Sequence, residues 1–257
     1  MDESLKTAKR IVVKVGTSVL TEPGKDRLSP ARVRDIAQRV GEVHRAGREV
    51  IVVTSGAIAA GMDVLGYRAR PKDLHQLQAA SAVGQWRLMS LYEQAFGQQN
   101  FHAAQMLLTN DDLKHRRQNI KATLNTLLER RVIPVINEND SVSTEEIRVG
   151  DNDQLAAHVA VLAGADLLII LTDVNGLRND AAQVVQQVSR AELNKAKQWA
   201  RGTDKATSAG GMRTKLLAAE LVTDKNIRLA MADGSSGGYV LTQIALEGKN
   251  PGTLFTP

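Results

Sequence analysis

Six short stretches of this 257-residue chain combine glycine, lysine and carboxylate or amide side chains in ways that could do chemistry. Lys14-Val15-Gly16-Thr17-Ser18 puts a lysine inside an apolar run and a glycine two residues on. A lysine there needs a ligand or partner, because burying a lone ammonium is costly, and the glycine lets backbone approach an anion. An edge lysine reaching solvent is the competing reading. Thr54-Ser55-Gly56-Ala57-Ile58-Ala59-Ala60-Gly61 is a run of small residues suited to exposing amides at a helix start. Asn137-Glu138-Asn139-Asp140 and Gly150-Asp151-Asn152-Asp153 crowd carboxylates and amides together. Helix capping by Asp151 or Asn152 explains one of these residues but not the group. Such side chains hold ammonium groups, metals or lysines. Thr172-Asp173 precedes Val174-Asn175-Gly176, which also reads as an ordinary turn. Gly210-Gly211-Met212-Arg213-Thr214-Lys215 places a glycine pair before a lysine, which suits a nucleotide phosphate, or else a flexible loop running into a solvated helix.

The inventory suits phosphoryl transfer, which needs mostly positioning and charge stabilisation. The phosphate-binding pattern Gly-x-x-x-x-Gly-Lys-Ser/Thr is absent from the chain.

The elements that must position these residues follow from periodicity. Arg10–Val15, Glu49–Val53, Phe101–Leu107, Arg131–Ile136, Leu167–Leu171, Ile227–Ala232 and Gly252–Phe255 read as strands. Ser29 and Pro30 open a helix with Val33, Ile36, Ala37, Val40 and Val43 on one face, stopped by Gly47. Further helices are expected over Asp73–Gly97, Arg116–Arg130, Asn152–Ala163 and Gly211–Thr223. Strand–helix alternation of this kind predicts an α/β fold: a three-layer αβα sandwich with a mainly parallel central sheet. In such folds ligands bind beyond the C-terminal ends of the strands, where the six stretches fall. Arg178–Ser208 has no clear place in the sheet and is expected to form a flap or mobile loop.

Composition narrows the classes. Apolar residues at 43% exclude a disordered tail, and zero cysteine excludes thiolate metal sites and thiol nucleophiles. The net charge of +5 is spread along the chain without interleaved aromatics, so a nucleic-acid partner is not expected. The longest apolar stretch, Leu155–Leu171, is interrupted by His158, Gly164 and Asp166 and is shorter than a membrane span. A polar N-terminus completes the expectation of a cytoplasmic protein with no membrane partner.

Taken together the motifs resemble the amino acid kinase family, and within it the members that act on glutamate. The likeness is carried by VVKVGTSVLT (Val12–Thr21), VTSGAIAAG (Val53–Gly61), ASAVGQ (Ala80–Gln85), QMLLT (Gln105–Thr109), VIPVINENDSV (Val132–Val142), VGDNDQLAA (Val149–Ala157), ILTDVNGL (Ile170–Leu177), GGMRTK (Gly210–Lys215) and GTLF (Gly252–Phe255). The resemblance implies transfer of the ATP γ-phosphoryl group, with Mg²⁺, to the side-chain carboxylate of L-glutamate, the first step of proline biosynthesis. By the same likeness Lys14 and Lys215 neutralise the phosphoryl group and Asp153 orients both lysines. Gly16, Ser55 and Gly56 offer amides. Ser55, Asp140 and Asn152 hold glutamate, with Asn137 and Asp151 nearby. Thr172, Asp173, Gly210, Gly211, Met212, Arg213, Thr214 and Lys215 line the nucleotide pocket. No resident metal site is expected. Proline as feedback inhibitor and a homo-oligomer, dimer or tetramer, are further expectations. Another acceptor within the family, or a catalytically weakened regulatory or nucleic-acid-binding relative, are the alternatives. The chain departs from the family where it reads Ser208-Ala209 before Gly210, in place of Gly-Thr, and Arg178-Asn179-Asp180 after Leu177. Motif order predicts one domain over residues 1–257, without the RNA-binding-type (PUA) domain that follows in many relatives.

Overall fold

The computed structural model describes residues 2–22, 24–142, 151–200 and 211–257, and of Asp151 the backbone alone. Eight strands are described: Arg10–Val15 (β1), Glu49–Thr54 (β2), Ala103–Leu108 (β3), Ile133–Glu138 (β4), Leu167–Thr172 (β5), Gln187–Ser189 (β6), Arg228–Asp233 (β7) and Thr253–Thr256 (β8). They form one sheet in the order β3-β4-β2-β1-β5-β7-β8-β6. All pairs are parallel except β7 with β8. The helices are Glu3–Lys6 (α1), Thr17–Leu20 (α2), Pro30–Arg45 (α3), Ala57–Val64 (α4), Leu74–Gly97 (α5), Asn110–His115 (α6), Arg117–Glu129 (α7), Asp151–Ala163 (α8), Leu193–Trp199 (α9), Met212–Thr223 (α10) and Tyr239–Glu247 (α11).

Helices cover both faces, as the strand–helix alternation predicts. Strand side chains alternate between two cores. Ile11, Val13 and Val15 of β1 pack with α3, α5 and α11 on one side. Val12 packs with α7, α8 and α10 on the other. Lys14 shares the parity of Val12, so the pleat itself aims it toward α8 and α10. β1 lies between β2 and β5. Lys14 is therefore not an edge lysine.

Several expectations shift. Arg131 sits at a left-handed φ of 57° in the turn that ends α7, so β4 starts later and runs through Asn137 and Glu138. Pro134 lies inside this internal strand, where a missing N–H normally breaks a ladder. It is accommodated because pairing with β2 begins only at Val135, while the Ile133 N–H donates on the β3 side to the His102 carbonyl at 2.9 Å. The Arg178–Ser208 stretch is not a free flap as far as residue 200. β6 pairs with β8, and Val188, Leu193 and Ala196 are buried. Residues 201–208 lie outside the described residues. Ser29 stands at the N-cap of α3 without a side-chain hydrogen bond, and Pro30 is the first helical residue.

Candidate active site

Three charged side chains converge beyond the C-terminal half of β1. Asp153 sits in the first turn of α8 and is fully buried. Its Oδ1 lies 2.8 Å from Lys14 Nζ, and its Oδ2 lies 3.1 Å from Lys215 Nζ, in the first turn of α10. Both lysine side chains are only 3% exposed. The Thr214 hydroxyl adds a hydrogen bond to Oδ2 at 2.8 Å. Burial pushes the Asp153 carboxyl up, but Lys14 and Lys215, with hydrogen bonds from Lys14 and Thr214, outweigh it and hold the group below the usual carboxylate range. Burial pulls the Lys215 ammonium down, and Asp153 only partly restores it against Lys14. One buried carboxylate thus lies between two buried ammonium groups, with Asp173 a weaker influence on Lys215, an arrangement that suits an incoming phosphate. Burial of Lys215 also removes the reading of its loop as the start of a solvated helix.

Beside this centre lies a cluster of amides. Asn152 Nδ2 donates to the Thr54 carbonyl (3.2 Å), to Ser55 Oγ (2.9 Å) and to Asn137 Oδ1 (3.1 Å). Asn152 is thus not a helix cap; its side chain ties α8 to the ends of β2 and β4. Asn137 Nδ2 donates to Gln85 Oε1 on α5 at 2.9 Å. Asp140 Oδ2 accepts from the Ser81 hydroxyl, one turn earlier on α5, at 3.1 Å.

The turn after β2 is shaped by glycines. Gly56 adopts φ +104°, a conformation L side chains rarely reach. At the α4–α5 crossing, a Cβ on Gly61 would stand 1.8 Å from the Ala80 carbonyl oxygen, and one on Gly84 1.8 Å from that of Ala57. The two helices therefore meet backbone to backbone, which fixes the start of α4 at the site. Beneath it the fully buried Tyr92 hydroxyl shares a 3.0 Å hydrogen bond with Thr54 Oγ1. Burial pushes the Tyr92 phenol up to about 12, against the pull of Thr54.

Two expected amides are occupied. The Gly16 N–H donates to the Leu171 carbonyl (3.1 Å) and the Ser55 N–H to the Val15 carbonyl (3.1 Å), extending the sheet ladders by one bond. These two amides are therefore not offered to a ligand. Gly16 has another use: a Cβ there would lie 3.6 Å from Lys14 Nζ, so its absence keeps the flank of that ammonium open. On the neighbouring strand the Thr172 hydroxyl donates to Asp173 Oδ1 at 3.1 Å, and Asp173 is exposed. Gly211 forms the N-cap of α10, followed by Met212 and an exposed Arg213. Gly210, Ser208, Ala209 and the Asp151 side chain lie outside the described residues.

A model described as the amino acid kinase family matches residues 9–233. The chain belongs to the amino acid kinase family. Within it the kinase falls among the glutamate 5-kinases. It is 43% identical to the glutamate 5-kinase of Azoarcus sp. (strain BH72) over 99% of this chain and 70% of that protein. The corresponding enzyme of Carboxydothermus hydrogenoformans is 43% identical over 100% and 70%. That of Aromatoleum aromaticum is 44% identical over 91% and 65%. The kinase thus spans about two thirds of the length of these relatives. Its fold is similar to that of a carbamate kinase from Giardia lamblia bound to AMP-PNP, with a TM-score of 0.67, 19% identity and coverage of 98% of this chain and 99% of that one.

Sequence reasoning placed Lys14, Asp153 and Lys215 in one site, and the structure brings them together. It also brings together Ser55, Asn137 and Asn152, while Asp140 is tied to Ser81. Reasoning passed over Ser81, Gln85 and Tyr92, which come from one helix of the kinase. The signal available was the ASAVGQ segment, whose buried polar residues stand four apart and so share a helix face.

Proposed function

We propose that this kinase transfers the γ-phosphoryl group of ATP to the side-chain carboxylate of L-glutamate, releasing ADP and glutamyl 5-phosphate. The observation that carries the reading is the buried Lys14–Asp153–Lys215 centre beside the Asn152 amide cluster. A glutamate carboxylate oxygen forms the new bond to phosphorus as the bond to the β-phosphate bridging oxygen breaks. Charge accumulates on the phosphoryl oxygens and the leaving ADP. Lys14 and Lys215 are placed to neutralise it, and Asp153 holds both ammonium groups at fixed positions in advance, so little reorganisation is needed. No general base is required, because the acceptor carboxylate is ionised at neutral pH.

Ser55, Asn152 and Asp140 bind glutamate in this reading, with Asn137, Gly56 and Asp151 beside them. Asn152 Oδ1 is buried without a hydrogen-bond partner among the described residues, which suits an incoming ammonium donor. Thr172, Asp173 and Gly210–Lys215 line the nucleotide, whose phosphates meet the start of α10. No group of three or more His, Asp or Glu side chains suited to a metal ion occurs among the described residues. Mg²⁺ would arrive with ATP and would supply charge neutralisation at its phosphates.

The oligomer expected from the family resemblance has a candidate surface. Trp86 on α5 is 74% exposed, and Val64 and Leu65 at the end of α4 are also exposed. Among the described residues no helix is long and apolar enough to cross a membrane. We place the kinase in the cytoplasm, where ATP and glutamate are available. Proline inhibition is proposed on the family resemblance.

An acceptor panel of glutamate, acetylglutamate, aspartate, carbamate and uridylate, read as ADP release with and without proline, tests the reading. The highest kcat/KM is expected for free glutamate. Folded protein with no glutamate-dependent ADP release refutes it.

A further inference from the structure

Three side-chain amides stand in line across α5, β4 and α8, and two backbone groups fix which way each one faces. The Glu138 N–H donates to Asn137 Oδ1 at 2.9 Å. The Thr54 carbonyl accepts from Asn152 Nδ2 at 3.2 Å. A backbone N–H can only donate and a carbonyl can only accept, so neither anchor tolerates a flipped amide. Asn137 must then turn Nδ2 to Gln85, whose facing atom must be Oε1. Asn152 must turn Nδ2 to Asn137 Oδ1. Two atoms remain, Gln85 Nε2 and Asn152 Oδ1. Both are buried and neither has a hydrogen-bond partner among the described residues. Buried polar atoms are rarely left so, and each such case calls for a reason.

We propose that Gln85 is a positioning residue for recognition of the acceptor's α-ammonium group. By accepting from Asn137 it adds a side-chain restraint to the two backbone anchors, steadying Asn137 and through it Asn152, whose carbonyl oxygen is left to face the substrate. A relay free to turn over would present an N–H there, which suits a carboxylate and rejects an ammonium. Discrimination between glutamate and the same dicarboxylate without its amino group is then tuned from α5, by a residue that acts through Asn137. The inference rests on the reading that this amide cluster binds glutamate.

Glutarate, which carries both carboxylates and no ammonium, is the probe. Dissociation constants for glutamate and glutarate are measured by calorimetry on the whole chain as wild type, Gln85→Met and Gln85→Glu. Thermal melts establish that each variant is folded. Gln85→Met removes the acceptor, and the preference for glutamate over glutarate is expected to fall about ten-fold or more, the scale of one hydrogen bond to a charged group. Gln85→Glu still accepts from Asn137, so its preference stays within about two-fold of wild type, the added charge acting on both dicarboxylates alike. A merely structural role would weaken both ligands equally and leave the ratio unmoved. An unchanged ratio in Gln85→Met, or an equal loss in Gln85→Glu, overturns the proposal. Should Gln85→Met fail to fold, Gln85→Ala removes the same acceptor and is read in the same way. Wild-type protein that binds no glutamate and shows no glutamate-dependent ADP release instead overturns the underlying functional reading, and the inference with it.

Discussion

Replacing Asp153 with asparagine isolates what one carboxylate does for two lysines. The substitution keeps shape and leaves Lys14 and Lys215 buried, at 3% exposure, without the carboxylate they share. Removing one partner of a buried ion pair costs about 3–5 kcal/mol. Here a single carboxylate is shared at 2.8 and 3.1 Å, so the upper end, about 5 kcal/mol, is the expected loss. For a chain of this length each kcal/mol moves the melting temperature by roughly 2–4 °C, so Asp153→Asn is expected to melt about 10–20 °C lower at pH 7. Calorimetric melts across pH and with added polyphosphate test the electrostatic origin. Raising the pH toward the lysine range should return part of the loss, because uncharged amines no longer repel. Tripolyphosphate should raise the variant's melting temperature more than the wild type's, since its centre carries one more uncompensated charge. In the wild type the native Asp153 titrates below its unfolded counterpart. Its stabilisation is therefore present above about pH 4 and is lost as the pH falls below that, toward the native value. Lys215 is depressed in the native state, so its contribution rises as the pH climbs from its native value toward the ordinary lysine range. An Asp153→Asn protein that melts within about 2 °C of wild type, with no added response to polyphosphate, would refute the shared-carboxylate account.

Further outcomes are expected from the same geometry. Lys215→Ala should cut kcat by about two orders of magnitude or more, as removal of a positioned charge does, while Lys14 and Thr214 still serve Asp153 and the far-ultraviolet spectrum is unchanged. Steady-state kinetics decide it, and unaltered kcat removes Lys215 from the mechanism. Gly84→Ala puts a methyl against the Ala57 carbonyl oxygen and must part α4 from α5. A loss of about 3 kcal/mol or more in urea unfolding, with KM for glutamate raised, is expected, and a neutral result would mean the crossing has slack. Trp86→Lys should shift the sedimentation velocity toward smaller species if the exposed α4–α5 face joins two copies. Sedimentation identical to wild type excludes that face.

The frame of this protein was largely written in short-range pattern. The apolar run of Arg10–Val15 marks Lys14 as a residue whose neighbours are buried, and the pleat then dictates which helices it meets. Asp153 and Lys215 were readable because glycines and amides surround them in the sequence. Gln85 and Ser81 were not, since a polar residue inside a long helix looks like surface until the partner strand is known. Pro134 did not hide β4, whose strand was expected over Arg131–Ile136, but its tolerance there could not be foreseen. Whether a missing N–H matters depends on where the neighbouring ladder starts, and no local pattern carries that. β6 was lost because three residues give too little periodicity to detect.

The charged centre also has an order of assembly. Its parts come from the first strand, from α8 and from α10, the last of these 62 residues beyond Asp153 in the chain. During synthesis Lys14 and Asp153 emerge first, and together they are electrically neutral. Only the arrival of Lys215 makes the pocket positive, and such long-range closure is the slow part of folding. A nucleotide thus has little to bind until the final third of the chain has docked, and once it binds it acts as a ligand of the completed fold alone. The substrate that the centre holds is, in that sense, also a late clamp on the sheet around it.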